Sequence, residues 1–167
     1  LFNGPASEGL EARMASKPAR FAAVDTMAED TALIAFTSGT TGKPKGTVHF
    51  HRDLIAACEC WPPSMLRATA DDVFTGSPPL AFTFGLGGLL LFPLRIGAST
   101  LLLERPAPDA LLPAIAEHRA TVLFTAPTSY RAMAPSARQH DLSSLRKCVS
   151  AGEALPPGSR TLWKNAT

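Results

Sequence analysis

Cysteine is scarce in this chain: there are three, Cys58, Cys60 and Cys148, among 167 residues. An odd count without a CxxC pair excludes a disulfide framework and a cysteine zinc site, and fits buried thiols in a reducing cytoplasm. Charge of one sign is lacking too. Sixteen Lys and Arg against fourteen Asp and Glu leave a formal net charge of +2. The basic residues are scattered rather than striped, so no general field draws nucleic acid or an anionic membrane, and neither is expected as a partner. Long hydrophobic runs are missing. The longest apolar stretch, Leu86 to Leu94, is too short to span a bilayer and contains Pro93. No segment reads as a signal peptide. A soluble, cytoplasmic protein is the expectation. Histidine supplies no metal site: His49 and His51 stand two apart with no third ligand in view, and His118 and His140 fall at a helix end and in a polar linker. No Ser-His-Asp set is evident.

What is present is ordinary in bulk and specific in one place. Hydrophobic residues at 46% and charged residues at 18% match a globular protein, and 167 residues allow one domain or part of one. The specific place is Phe36 to Gly46, FTSGTTGKPKG, which follows the apolar run Ala32-Leu33-Ile34-Ala35. A buried strand leading into glycines, hydroxyls and lysines can present backbone N–H groups and cations to a polyphosphate. Glycine permits φ > 0 and close backbone approach to an anion. A Walker A loop is excluded by spacing: only two residues separate Gly39 from Gly42, and Pro44 follows Lys43 where a magnesium-binding hydroxyl is needed. On chemistry alone, Thr37, Ser38, Gly39, Thr40, Thr41, Gly42 and Lys45 are the candidates for holding phosphate, with Lys43 a solvated loop-tip lysine.

The remaining pattern alternates. Residues 1–30 read as a linker or surface segment with a short helix near Ser7 to Ala15. Thr31 to Phe36 and Thr47 to Phe50 read as strands flanking the glycine loop, and Asp53 opens a helix stopped by Pro62-Pro63. Strands are predicted at Val73 to Thr75, Ser99 to Leu103, Thr121 to Phe124 and Lys147 to Ser150. Helices are predicted at Gly85 to Ile96, from Pro108, at Thr128 to Ala134 and at Pro157 to Lys164. Strands separated by helices imply an α/β fold with a mostly parallel sheet covered on both faces. Ligands of such sheets bind at the carboxyl ends of the strands. Three motifs are expected there: the glycine loop, Ser77 to Gly88, and Gly152 to Leu155.

FTSGTTGKPKG closely resembles the phosphate-binding signature of the adenylate-forming superfamily. LAFTFGLGG at Leu80 to Gly88 and SAGEALP at Ser150 to Pro156 resemble later motifs of that family, in the family's order. The stretch GSPPLAFTFGLGGLLLFPLRIGAS is most similar to benzoate- and 2-aminobenzoate-CoA ligases. The resemblance implies that residues 31–167 are a partial AMP-binding domain, part of the large N-terminal domain, ending before the YGxTE motif that supplies a magnesium-binding Glu. It further implies ATP, Mg2+ and coenzyme A as co-substrates and a small aromatic carboxylic acid as the activated group, with the remainder of a parent chain as partner. The glycine loop would take the β- and γ-phosphates. Gly152, Glu153 and Ala154 would lie along adenine, and Thr83, Phe84 and Gly85 would line the acid pocket, the glycine leaving room for substrate. Ala126-Pro127-Thr128 would close that pocket or serve as a turn. Two positions depart from the family: Phe82 stands where many relatives carry histidine, and Ala154 replaces the usual proline. No catalytic residue is expected within the chain, because the substrate carboxylate is its own nucleophile. An amino-acid-activating adenylation domain remains an alternative, as does a nucleotide-binding or structural piece without activity.

Overall fold

The computed structural model describes residues 9–37 and 42–167. After a short helix α1 (Leu10–Ala15), strands β1 (Thr31–Thr37) and β2 (Lys45–Phe50) pair antiparallel, with Thr37 opposite Lys45. This hairpin forms a sheet of its own. β1 is not the buried strand expected from its apolar run: none of its residues is buried, and Ile34, Phe36 and Val48 expose one face.

Helix α2 (His51–Trp61) begins two residues earlier than expected, because Asp53 acts from inside the first turn. Its Oδ2 accepts the Phe50 N–H at 2.8 Å, satisfying a donor the helix leaves free. Pro62-Pro63 end the α-helix at Trp61, as expected, but not the helical path. It widens into a π-type turn, Pro62–Leu66, and ends at Arg67 with a left-handed φ of 50°. The hydroxyl of Ser64 donates to the Cys60 carbonyl at 2.6 Å, a side-chain bond back onto the preceding turn.

The second sheet is parallel. Strands β3 (Val73–Gly76), β4 (Ser99–Leu101), β5 (Val122–Thr125) and β6 (Lys147–Ser150) lie in the order β4-β3-β5-β6. Helix α3 (Thr83–Leu86), a π-type turn (Gly87–Leu91) and α4 (Phe92–Ile96) run on continuously between β3 and β4. They are followed by α5 (Pro108–His118), α6 (Pro127–Met133), a 3-10 turn (Ala137–Gln139) and α7 (Pro157–Ala166). Every residue of β5 is buried, and its side chains alternate between two cores. Leu123 packs with Leu111, Ile115, Tyr130, Met133 and Trp163 of α5, α6 and α7. Val122 and Phe124 pack with Phe74, Leu66 and Leu89 on the opposite face. Helices therefore cover both faces, as the alternation of elements implied.

Two expectations are corrected here. The glycine loop does not leave the parallel sheet, since its strands pair only with each other; the other two motifs do leave carboxyl ends, those of β3 and β6. Of the three cysteines only Cys58 is buried, while Cys60 and Cys148 are exposed.

Candidate active site

The carboxyl ends of three neighbouring strands carry a row of hydroxyls. Ser77, just past β3, approaches Thr125 at the end of β5 with oxygens 2.5 Å apart, and its N–H donates to the Phe124 carbonyl at 3.1 Å. Thr125 is the register partner of Ser150 on β6. The Ser150 Oγ is buried with no hydrogen-bond partner among the described residues. A buried hydroxyl without a partner is costly, which makes this edge a place where a polar ligand atom would be stabilised. Sequence reading placed Ser77 only as the start of the motif after its strand and passed over Thr125; the available signal was a hydroxyl closing each apolar strand run, VFTGS and VLFT.

Three loops rise from this edge. The one after β6 holds Gly152, Glu153 and Ala154, all exposed, and Gly152 has φ = 93°, a conformation that disfavours any side chain. The loop after β5 is Ala126 alone, because Pro127 and Thr128 already belong to α6, where the fixed φ of proline suits the first helical position. The loop after β3 leads to Thr83, Phe84 and Gly85, which are the first turn of helix α3 rather than a turn of the chain. These three residues divide in role. Thr83 is exposed and lines a cleft of about 340 Å³ between the hairpin, α2 and the α3–α4 helix, together with Leu33, His49, Asp53 and Phe92. Phe84 is half-buried, its ring 5.6 Å from that of Phe124. Gly85 is buried, and a Cβ there would lie 2.1 Å from the Pro79 carbonyl oxygen. Its missing side chain makes room for the Pro78-Pro79 backbone, not for open space. Phe82, 66% exposed, precedes the helix.

On the hairpin, Thr37 and Lys45 are exposed and paired at the mouth of the glycine loop, and Gly42 has φ = 79°. Ser38, Gly39, Thr40 and Thr41 lie outside the described residues. Among the described residues there is no group of three His, Cys, Asp or Glu that could hold a metal ion. No described helix is long and apolar enough to cross a membrane.

A parallel sheet clad by helices, loops with hydroxyls at its carboxyl edge, and a separate glycine-loop hairpin together make up the architecture of the N-terminal domain of adenylate-forming enzymes. The chain belongs to the AMP-binding enzyme family, whose profile matches residues 3–167. It is 37% identical over 167 residues to the benzoate–CoA ligase of Thauera aromatica, covering 98% of this chain and 32% of that protein. Over 132 residues it is 37% identical to the anthranilate–CoA ligase of Pseudomonas aeruginosa, covering 78% of this chain and 25% of that protein. Its fold superposes with a TM-score of 0.87 on the anthranilate CoA ligase AuaEII, solved in complex with anthranoyl-AMP, at 37% identity over 98% of this chain and 33% of that one. The chain thus spans a quarter to a third of the length of these relatives.

Proposed function

We propose that this chain is the nucleotide-site portion of an ATP-dependent aromatic acid–CoA ligase, acting on benzoate or 2-aminobenzoate in the cytoplasm. The observation that carries the reading is the conjunction of the glycine-loop hairpin with 37% identity to a benzoate–CoA ligase along 98% of the chain. In the reaction, a carboxylate oxygen attacks the α-phosphorus of ATP. The P–O bond to pyrophosphate breaks and an acyl-adenylate forms. The thiol of coenzyme A then attacks the acyl carbon, loses its proton, and displaces AMP to leave a thioester.

The protein's part is to hold the reactants in line and neutralise phosphate charge. Thr37 and Lys45 face each other where the glycine loop leaves and rejoins the hairpin, and with Ser38, Gly39, Thr40, Thr41 and Gly42 they take the β- and γ-phosphates. Mg2+ enters with ATP, and this chain's described residues offer it no cluster of ligands. The exposed backbone of Gly152, Glu153 and Ala154 lies along adenine. Phe84 forms an aromatic wall of the acid pocket, suited to stacking and to burial of a planar ring. Thr83 stands beside it, and Gly85 seats the helix that carries both.

The amino-acid-activating alternative gains one observation, since Asp53 lines the same cleft as Thr83 and could meet an ammonium group. That carboxylate is already engaged, accepting the Phe50 N–H at 2.8 Å, so the aromatic-acid reading is favoured. Pyrophosphate exchange by the full-length protein across a panel of aromatic acids, fatty acids and amino acids tests the assignment. Exchange with benzoate or 2-aminobenzoate is the expected result, and exchange with amino acids alone would overturn it. The 167-residue chain by itself should form no thioester, and steady AMP release from it with acid, ATP and coenzyme A would contradict that.

A further inference from the structure

Phe124 is 1% exposed at the centre of the parallel sheet, ringed by four aromatic side chains. Its centroid lies 5.6 Å from Phe84, 6.1 Å from Trp61, 6.1 Å from Phe74 and 6.5 Å from Phe92. Two glycines press on it from either side. A Cβ on Gly76 of the adjacent strand would lie 2.1 Å from the Phe124 carbonyl oxygen, and a Cβ on Gly88 would lie 2.3 Å from ring atom Cδ1. Strand and helix therefore clamp both the backbone and the ring of this residue.

Gly88 and Phe84 are four positions apart on one continuous helical path, so they share a face, and that face rests on Phe124. Gly85 seats the helix on a second segment: a Cβ there would lie 2.1 Å from the Pro79 carbonyl oxygen and 2.6 Å from that of Pro78, so the backbone of this turn is packed against the Pro78-Pro79 backbone. The Phe84 ring is the movable part.

We infer that Phe124 is a specificity-positioning residue: it sets the depth at which Phe84 stands, and through it the size of aromatic acid that fits. This rests on the reading of Phe84 as a wall of the acid pocket. Trimming Phe124 opens space below Phe84, which relaxes only partly into it. The pocket above deepens, a small acid loses contact and a larger one gains room.

The experiment is pyrophosphate exchange by the full-length protein carrying Phe124→Leu, Phe84→Leu or both, with benzoate, 2-aminobenzoate and 2-naphthoate. Phe124→Leu should raise the KM for benzoate about tenfold and lower that for 2-naphthoate, with the KM for ATP changed by less than about twofold. In the Phe84→Leu background, Phe124→Leu should no longer shift the preference among acids. An equal shift for all acids and ATP, or the same acid shift without the Phe84 ring, would overturn the inference. Thermal melting checks folding, and Phe124→Met, closer in volume, carries the comparison if the leucine variant does not fold. A wild-type protein inert toward every aromatic acid defeats the functional reading and this inference together. An active wild type with an unchanged acid preference in Phe124→Leu defeats this inference alone.

Discussion

Asp72 and Arg146, 74 positions apart, join the amino-terminal ends of β3 and β6: the Arg146 Nε donates to Oδ1 of Asp72 at 2.7 Å, and a second guanidinium nitrogen donates to Oδ2. The carboxylate is 4% exposed and also accepts from the Thr69 N–H at 2.8 Å and the Thr121 hydroxyl at 2.7 Å. Arg146 reaches further, to the Leu66 carbonyl at 2.7 Å, tying the end of the π-type turn to the sheet. This network lies at the edge opposite the candidate site, so it serves the scaffold.

Arg146→Leu should therefore destabilise the chain by about 3–5 kcal/mol, because it strands a buried carboxylate without its cation. Urea denaturation measures the loss. In the full-length protein the KM for ATP should be unaffected at temperatures where the variant is folded, since the substitution is at the far edge of the sheet.

Acid should weaken the fold through the same group. Burial pushes the Asp72 carboxyl up, but hydrogen bonds from Arg146, Thr69 and Thr121 outweigh it and leave its pKa below the ordinary carboxylate value. A carboxyl depressed in the folded state contributes stability that is fully present above the unfolded value and is lost as pH falls through the folded one. Unfolding free energy should thus fall on acidification below about pH 4, and Asp72→Asn should be less stable at neutral pH with a flatter profile in that range. Denaturant titrations between neutral and acidic pH check both slopes.

Lys45→Ala should lower pyrophosphate exchange by the full-length protein about a hundredfold, the scale of losing one group aimed at developing charge. Lys43→Ala should leave exchange near the wild-type rate. Comparable losses for the two variants would mean that the loop acts by overall charge rather than through the residue paired with Thr37.

Gly85→Ala should cost about 1–3 kcal/mol, since its Cβ would meet a backbone carbonyl that has no rotamer to escape into. Gly87→Ala is the control. There the nearest atom is the Phe92 ring at 3.2 Å, which can give by a few tenths of an ångström, and alanine restores up to about 1 kcal/mol of helix propensity. Thermal melts of the two variants should separate clearly.

Much of the fold was legible because its signals are local. Pro108 and Pro157 sit at the first positions of α5 and α7, where a missing N–H costs nothing, and the spacing of Leu111, Leu112 and Ile115 marks the buried face of α5. Pro62-Pro63 end the α-helix at Trp61 as their missing donors imply, but the wider turn that carries the path on to Leu66 was not legible. Phe84 and Gly85 were assigned to a substrate pocket by letter. Only packing revealed that the ring rests on Phe124 and that the glycine accommodates Pro79.

By itself the sequence determined the glycine, hydroxyl and lysine composition of Phe36 to Gly46, from which its phosphate-binding role is proposed, and the alternation of strand and helix, since both depend on residue types a few positions apart. Tertiary structure alone decided which strands share a sheet. The polar and apolar pattern of Thr31 to Phe50 does not say whether that hairpin joins the other strands or stands apart, and here it pairs only with itself. Contacts as distant as Asp72 with Arg146, or Phe84 with Phe124, depend on how the elements pack, and no local window of the chain contains that information.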